Sequence, residues 1–474
     1  MTLPGRRARL RQPPGGPPGF RGPSPAGVAS TSATMQHTSL VKEVTCPNCW
    51  ERFPPERVWY VSSHHDLFGD LRLGPNERRR FPSSRFDPEG RAIDAKGASC
   101  HELACPRCHL GVPRVFLERP AFFVSIFGSP KSGKSYLLAS MIHRLRKLLP
   151  KSFAIDFSDA DPQANAVLHE YEDELFAHGK PDDLVHLKKT DVTGDWYHEV
   201  TYGEKRILYP KPFFFQISPV GAHPYAAKPA AVARTLCVYD NAGESFQPGA
   251  DRPDNPVTQH LAKSNCLMFV YDPAQEPEFR KHLQDISEDE QVRDPAVLSR
   301  QEVLLAEVAR RVKSYRGLAV NARHDRPLLV LVNKYDAWQK LLGRERLPDP
   351  WTMHPSGGFA VLRPDMIQGA SAAIRQMLHE YMPAVVATAE SFVEPSKIIY
   401  VPVSATGGPP QRGPDNGYWH RAGSINPMWA EVPMLYALSQ FGSGAAAIIP
   451  HGVPRSAAGT AVKPAVDQGN GEFP

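Results

Sequence analysis

The sequence predicts an α/β fold centred on a doubly wound, mainly parallel sheet, and three observations predict it. Short apolar runs alternate with longer stretches of helical period, as happens when helices connect parallel strands. The first run passes through a glycine-bearing loop directly into a helix. Later runs finish on or beside an aspartate or asparagine, which collects polar groups at one edge of the sheet.

Residues 121–127 form a short apolar run fit for a buried strand, and 128–135 form the loop. Leu138, Ile142, Leu145 and Leu149 recur near helical spacing, so a helix is expected over 135–149. A polar stretch with a helix over 161–178 follows, then an aromatic strand at 213–217. Residues 236–239 read as a strand ending at Asp240, and 266–271 as another ending at Asp272. A helix over 300–315, a strand over 328–332, a helix over 370–392, a strand over 398–403 and a helix over 427–441 complete the series.

At 474 residues the chain exceeds one average domain. Residues 1–40 are rich in Pro, Gly, Ser and Arg and are expected to be a disordered basic tail. A cysteine-bearing module should occupy 41–117, the large α/β domain 118–445, and a second disordered tail 446–474. The net charge of +5 is concentrated at the start: Arg6, Arg7, Arg9, Arg11 and Arg21 meet no acid before residue 35. The rest of the chain is balanced, so charge gives nucleic-acid binding no support outside that tail. Met35 offers an alternative start just before the first cysteine motif. No apolar run approaches a membrane span, and 1–34 lack the apolar stretch of a secretory signal. A cytoplasmic protein is expected.

Gly128, Ser129, Pro130, Lys131, Ser132, Gly133, Lys134 and Ser135 fit G-x-x-x-x-G-K-[S/T]. Glycines at these places let backbone N–H groups turn toward an anion; Lys134 adds charge for β- and γ-phosphates, and the Ser135 hydroxyl can ligate magnesium. Asp240 and Gly243 form D-x-x-G after a buried-type strand: the carboxylate can hold magnesium, and Gly243 leaves its N–H open to a γ-phosphate. In Asn333, Lys334, Tyr335 and Asp336, the Asp336 carboxylate can accept the ring N–H and exocyclic amine of guanine, a donor pair that adenine lacks. Lys334 can lie along the base, and Asn333 can tie the phosphate loop to the base site. Ser404 and Ala405, after the strand at 398–403, suit a backbone contact to the guanine carbonyl. Together these residues predict GTP, or GDP, with Mg2+.

Cys46-Pro-Asn-Cys49 and Cys105-Pro-Arg-Cys108 are matching turns, each aiming two thiolates at one centre, and the pair completes the tetrahedral S4 set that Zn2+ prefers. Residues 50–104 must then be an insertion, with Cys100, His101 and His109 as nearby substitute ligands. A closed four-thiolate site offers no open position for catalysis. Cys237 and Cys266 lie in apolar strands and are expected in the core.

The four motifs in this order resemble the TRAFAC-class P-loop GTPases related to Ras and the translation factors, over roughly 118–445. The order of zinc ribbon and GTPase-like domain, with Asn241-Ala-Gly-Glu244, is similar to the bacterial double-GTPase families of multi-gene conflict systems. The resemblance implies a switch threonine that closes on magnesium: either Thr190 or Thr193 fits, unless their segment is an ordinary polar loop. It also implies that Glu244 stands where Ras-like members have a water-orienting glutamine. A carboxylate there can act as a base but repels the γ-phosphate, so slow hydrolysis assisted by a partner is expected. The implied function is a GTPase switch whose ribbon recruits a protein partner. The alternatives are a scaffold that binds GTP without turning it over and a nucleic-acid-associated adaptor.

Overall fold

In a computed structural model of the chain, the described residues are 40–187, 196–240, 243–246, 258–343, 347–442 and 445–452. The tail expected over 1–40 lies outside them except for its last residue, as do residues 453–474 of the second tail.

Seven strands form the central sheet. In chain order they are β1 (Ala121–Gly128), β2 (Ile155–Asp159), β3 (Phe213–Pro219), β4 (Arg234–Asp240), β5 (Cys266–Tyr271), β6 (Leu328–Val332) and β7 (Ile398–Pro402). Their order across the sheet is β2-β3-β4-β1-β5-β6-β7. The five strands from β4 to β7 are mutually parallel, whereas β3 runs antiparallel to both β2 and β4. The expected α/β class with a mainly parallel sheet is therefore found.

Strand side chains alternate between faces, and the core divides accordingly. Even-numbered residues Phe122, Val124, Leu236, Val238, Met268 and Val270 pack with α1 (Lys134–Leu148), α2 (Ala166–Phe176) and the last described helix, Val432–Gln440. On the other face, beneath β5, β6 and β7, Leu267, Phe269, Val330 and Tyr400 meet α3 (Gln301–Tyr315) and α5 (Pro383–Phe392). Beneath β3 and β4 no long helix lies on that face among the described residues; the short helices Val115–Glu118 and His260–Lys263 reach it through Phe116 on Phe214 and His260 on Tyr239. Phe214, Cys237 and Tyr239 pack instead against Cys46, Cys49, Trp50, Cys105 and Cys108. The cysteine module thus forms part of the third layer of the sandwich, because an apolar sheet face must be covered by something.

Several elements differ from expectation for identifiable reasons. The helix expected over 370–392 is two: α4 (Pro364–Tyr381) and α5, parted at Met382 (φ −139°, ψ 60°). Pro383 cannot donate to the carbonyl one turn back and forces its predecessor out of the helical region. The helix expected over 161–178 shortens to α2, and β2 occupies the polar stretch before it, where Asp156, Ser158 and Asp159 hid an edge strand. A hairpin, Tyr197–Tyr202 with Lys205–Pro210, also went unanticipated. The second tail needs correcting over 446–452: Ile448 is fully buried, and Leu362 exchanges backbone hydrogen bonds with Ile449 and His451. Among the described residues no helix is long and apolar enough to cross a membrane.

Candidate functional site

A cavity of about 520 Å³ opens at the carboxyl edge of the sheet, and residues of every motif found in the sequence except Gly243 and the cysteine pairs line it, Lys134, Asp240, Asn333, Asp336 and Ser404 among them. Its floor is the loop between β1 and α1. Gly133 has φ +84° and a Cβ there would sit 2.7 Å from Asn333 Nδ2, while one at Gly128 would meet the Val270 carbonyl oxygen at 2.4 Å. Only glycine suits either position. Lys131 and Lys334 also adopt left-handed φ values, 61° and 54°, a conformation that costs a side-chain-bearing residue about 1–2 kcal/mol. Such strain gathers at ligand-holding loops.

The Lys134 ammonium is buried and donates to the carbonyl oxygens of Ser129 (2.8 Å) and Gly128 (3.2 Å), across the mouth of the loop. Pro130 and Lys131 lie on the cavity wall, and Ser129 Oγ bonds away from it to Gln275 (2.5 Å) and Gln301 (3.2 Å). Ser132 Oγ is buried with no hydrogen-bond partner among the described residues. Ser135 Oγ lies 3.5 Å from Asp240 Oδ2. Asp240 Oδ1 has no hydrogen-bond partner among the described residues, and burial pushes this carboxyl up to about 6 against the pull of Lys134 and Ser135. A buried carboxylate with a spare oxygen beside a hydroxyl offers two of the oxygen ligands that a hard divalent cation takes, and adjacent ligands of a magnesium ion sit about 3 Å apart.

Asn333 joins the two halves of the cavity by donating from Nδ2 to the Ser132 carbonyl (2.9 Å). Asp336 is held by the Ser404 hydroxyl (2.5 Å), which also accepts from the Gly407 N–H (2.8 Å). Burial pushes the Asp336 carboxyl up to about 6; Asp289 adds to that, and Ser404 and Lys334 oppose it. Lys334 donates to Asp272 (2.6 Å) and Gln291 (2.8 Å); burial opposes its charge, but Asp272 and Asp289 raise it above its ordinary value. Ala405 contributes to the wall, and its carbonyl accepts from Ser140 of α1 (2.7 Å).

The calls on Thr190, Thr193 and the Glu244 side chain lie outside the described residues; the backbone of Gly243 and Glu244 opens a short turn, Gly243–Phe246. Residues that motif reading missed also reach the cavity: Asp289, Gln291, His186, Tyr418 and His420. The last two arrive on a small three-stranded sheet in which Leu184–Val185 pairs with Tyr418–Arg421, which pairs in turn with Gln411–Arg412. Nothing local in the sequence marks that pairing, which joins segments more than 230 residues apart. Burial holds the His420 ring down to about 4, so it is a neutral imidazole at neutral pH. Asp272 did carry a signal, as an aspartate ending a strand.

Away from the cavity, the sulfurs of Cys46, Cys49, Cys105 and Cys108 all lie within 4.8 Å of one another. Cys46 and Cys108 are 3.8 Å apart and Cys49 and Cys105 3.6 Å. A tetrahedral cage with bonds of about 2.3 Å places its sulfurs about 3.8 Å apart, so the cluster fits zinc. Burial pushes the Cys46 and Cys108 thiols up, and only a cation makes four thiolates tolerable in one buried volume. Two of the substitute ligands are engaged elsewhere: His109 bonds to Asp70 (2.9 Å), and Cys100 Sγ lies 3.6 Å from the Ala98 carbonyl and 3.8 Å from Asp94. One phenol connects this cluster to the sheet. Tyr239 donates to the Pro47 carbonyl (2.6 Å) and accepts from Trp50 Nε1 (3.0 Å).

Neither a protein-family profile nor a curated protein matches the chain at a significant level. Among solved structures it is similar to Sup35 complexed with GDP, at 12% identity and a TM-score of 0.22. It is likewise similar to Sup35 complexed with GMPPNP, at 13% identity and the same TM-score. In each case the match covers 61% of this chain and 38% of the other.

Proposed function

We propose that the chain binds GTP and hydrolyses it to GDP and phosphate as a switch, with a structural zinc ribbon built into its core. One observation carries this reading: Lys134 and Asp336, at the phosphate-type loop and the guanine-type tetrapeptide, line one cavity of about 520 Å³. That volume lies within the range of small-molecule sites. In this reading the loop amides and Lys134 hold the β- and γ-phosphates, and Asp336 accepts both guanine donors while Ser404 fixes its orientation. Ser135 and Asp240 hold magnesium, which supplies charge neutralisation for phosphoryl transfer. Hydrolysis then proceeds by positioning and charge stabilisation with no covalent intermediate, and Glu244 in place of glutamine keeps intrinsic turnover slow. The ribbon, fixed against β4, serves partner docking, with Leu71 of its insertion 91% exposed.

The test is nucleotide affinity of the wild type and Asp336→Asn. Wild type should prefer GTP over ATP, and the variant should lose guanine affinity while gaining xanthine nucleotides, whose ring carbonyl accepts what the new amide donates. Equal binding of ATP and GTP by wild type, or an unchanged preference in the variant, would sink the reading.

A further inference from the structure

A second concavity, of about 390 Å³, opens where the far end of α1 meets the loop after α2 and residues 422–427. Basic and imidazole side chains surround it: His143, Arg144 and Lys147 from α1, His178 and Lys180 from the loop. Among the described residues no acidic side chain lines it. Glu431 holds Arg144 in place (2.8 Å), while Lys147 and Lys180 are exposed and have no carboxylate partner among the described residues. His143 stacks on Phe176, with ring centroids 3.8 Å apart and planes 10° from parallel. Burial, and then Lys147, Arg144 and Arg146, depress its pKa to about 4, and the Glu172 carboxylate stands 3.9 Å from its Nδ1.

We infer that this cleft is a binding site for a small phosphorylated molecule, a diphosphate or longer, separate from the cavity at the sheet edge. Two lysines that line one concavity and have no carboxylate partner among the described residues leave a charge that a polyphosphate satisfies through charge-assisted hydrogen bonds. A concavity of this volume suits a small ligand, whereas a nucleic-acid backbone is met by a basic stripe. The cleft also backs onto the loop that carries Ser404 and Ala405. Asn426, on its wall, donates its N–H to the Thr406 carbonyl (2.8 Å), and Met428 forms a bridge with Ser404. The inference does not depend on which nucleotide the first cavity takes.

The experiment is calorimetric titration of inorganic pyrophosphate, in magnesium-free buffer, into the full chain as wild type, Lys134→Ala and Lys147→Glu/Lys180→Glu. Binding should persist in Lys134→Ala and weaken by about tenfold or more at one site in the lysine pair variant. An unchanged melting temperature shows that the pair variant is folded, and Lys147→Ala/Lys180→Ala replaces it if charge reversal unfolds the chain. Loss of all binding in Lys134→Ala, full binding in both lysine-pair variants, or no binding by wild type each overturns the assignment. So does tighter capture, through the same lysines, of a short single-stranded oligonucleotide than of pyrophosphate.

Discussion

Gly133→Ala tests whether the phosphate-type loop and the Asn333 segment are one mechanical unit. The new methyl group meets two obstacles. A left-handed φ of +84° costs alanine about 1–2 kcal/mol, and the Cβ falls 2.7 Å from Asn333 Nδ2. Asn333 is only 2% exposed, so its amide escapes by breaking its bond to the Ser132 carbonyl, which leaves a buried acceptor unpaired for about 1–3 kcal/mol. The single variant should therefore lose about 2–5 kcal/mol. In an Asn333→Ala background the obstacle and the hydrogen bond are already gone. There the same change should cost only the backbone strain, about 1–2 kcal/mol. Urea unfolding of all four proteins completes the cycle, with a coupling of about 1–3 kcal/mol expected. Costs that add to within about 0.5 kcal/mol would refute the claim that Asn333 ties the loop to the tetrapeptide.

Two further outcomes follow from the electrostatics and from the ribbon contact. Burial lifts Asp336 to about 6 from an ordinary value near 4, so its ionised form is disfavoured in the fold: its contribution to stability is fullest below pH 4 and is lost as pH rises through 6. Guanine binding needs the carboxylate, so affinity should rise by up to about tenfold per pH unit on approaching 6 from below and level off above it, a dependence that Asp336→Asn should abolish. A flat profile in wild type, followed by fluorescent-nucleotide titration, would contradict this. Tyr239→Phe removes one hydroxyl that serves both Pro47 and Trp50, and the zinc-loaded protein should lose about 1–3 kcal/mol on denaturant unfolding, with a shift in tryptophan emission. An unaltered midpoint would show that the ribbon contributes no polar anchor to the sheet.

Much of the α/β architecture is legible in the sequence because buried parallel strands are apolar on both faces. Residues 328–332 and 266–271 stand out as runs, and both emerge as fully buried strands. Edge strands carry a weaker imprint: β2 has only one buried face, so Asp156 and Ser158 disguise it. The covering of Cys237 and Tyr239 had a signal that went unused, since 236–239 is apolar at odd and even positions and each face needs a layer. Which layer takes that place is a tertiary matter, decided by a module some 190 residues earlier in the chain. The cavity shows the same division. Groups within contiguous motifs can be read locally, whereas Tyr418, His420 and Asp289 arrive through long-range pairing that no local pattern encodes.

Tyr239 and Asp240 are consecutive on β4, one directed to the sulfur cluster and the other to the magnesium-type corner. A register error of a single residue in this strand would exchange their faces, sending a phenol into the cavity beside Lys134 and a carboxylate among the four cysteines. Drift in the length of the chain just before β4 is thus vetoed twice over, by two unrelated chemistries.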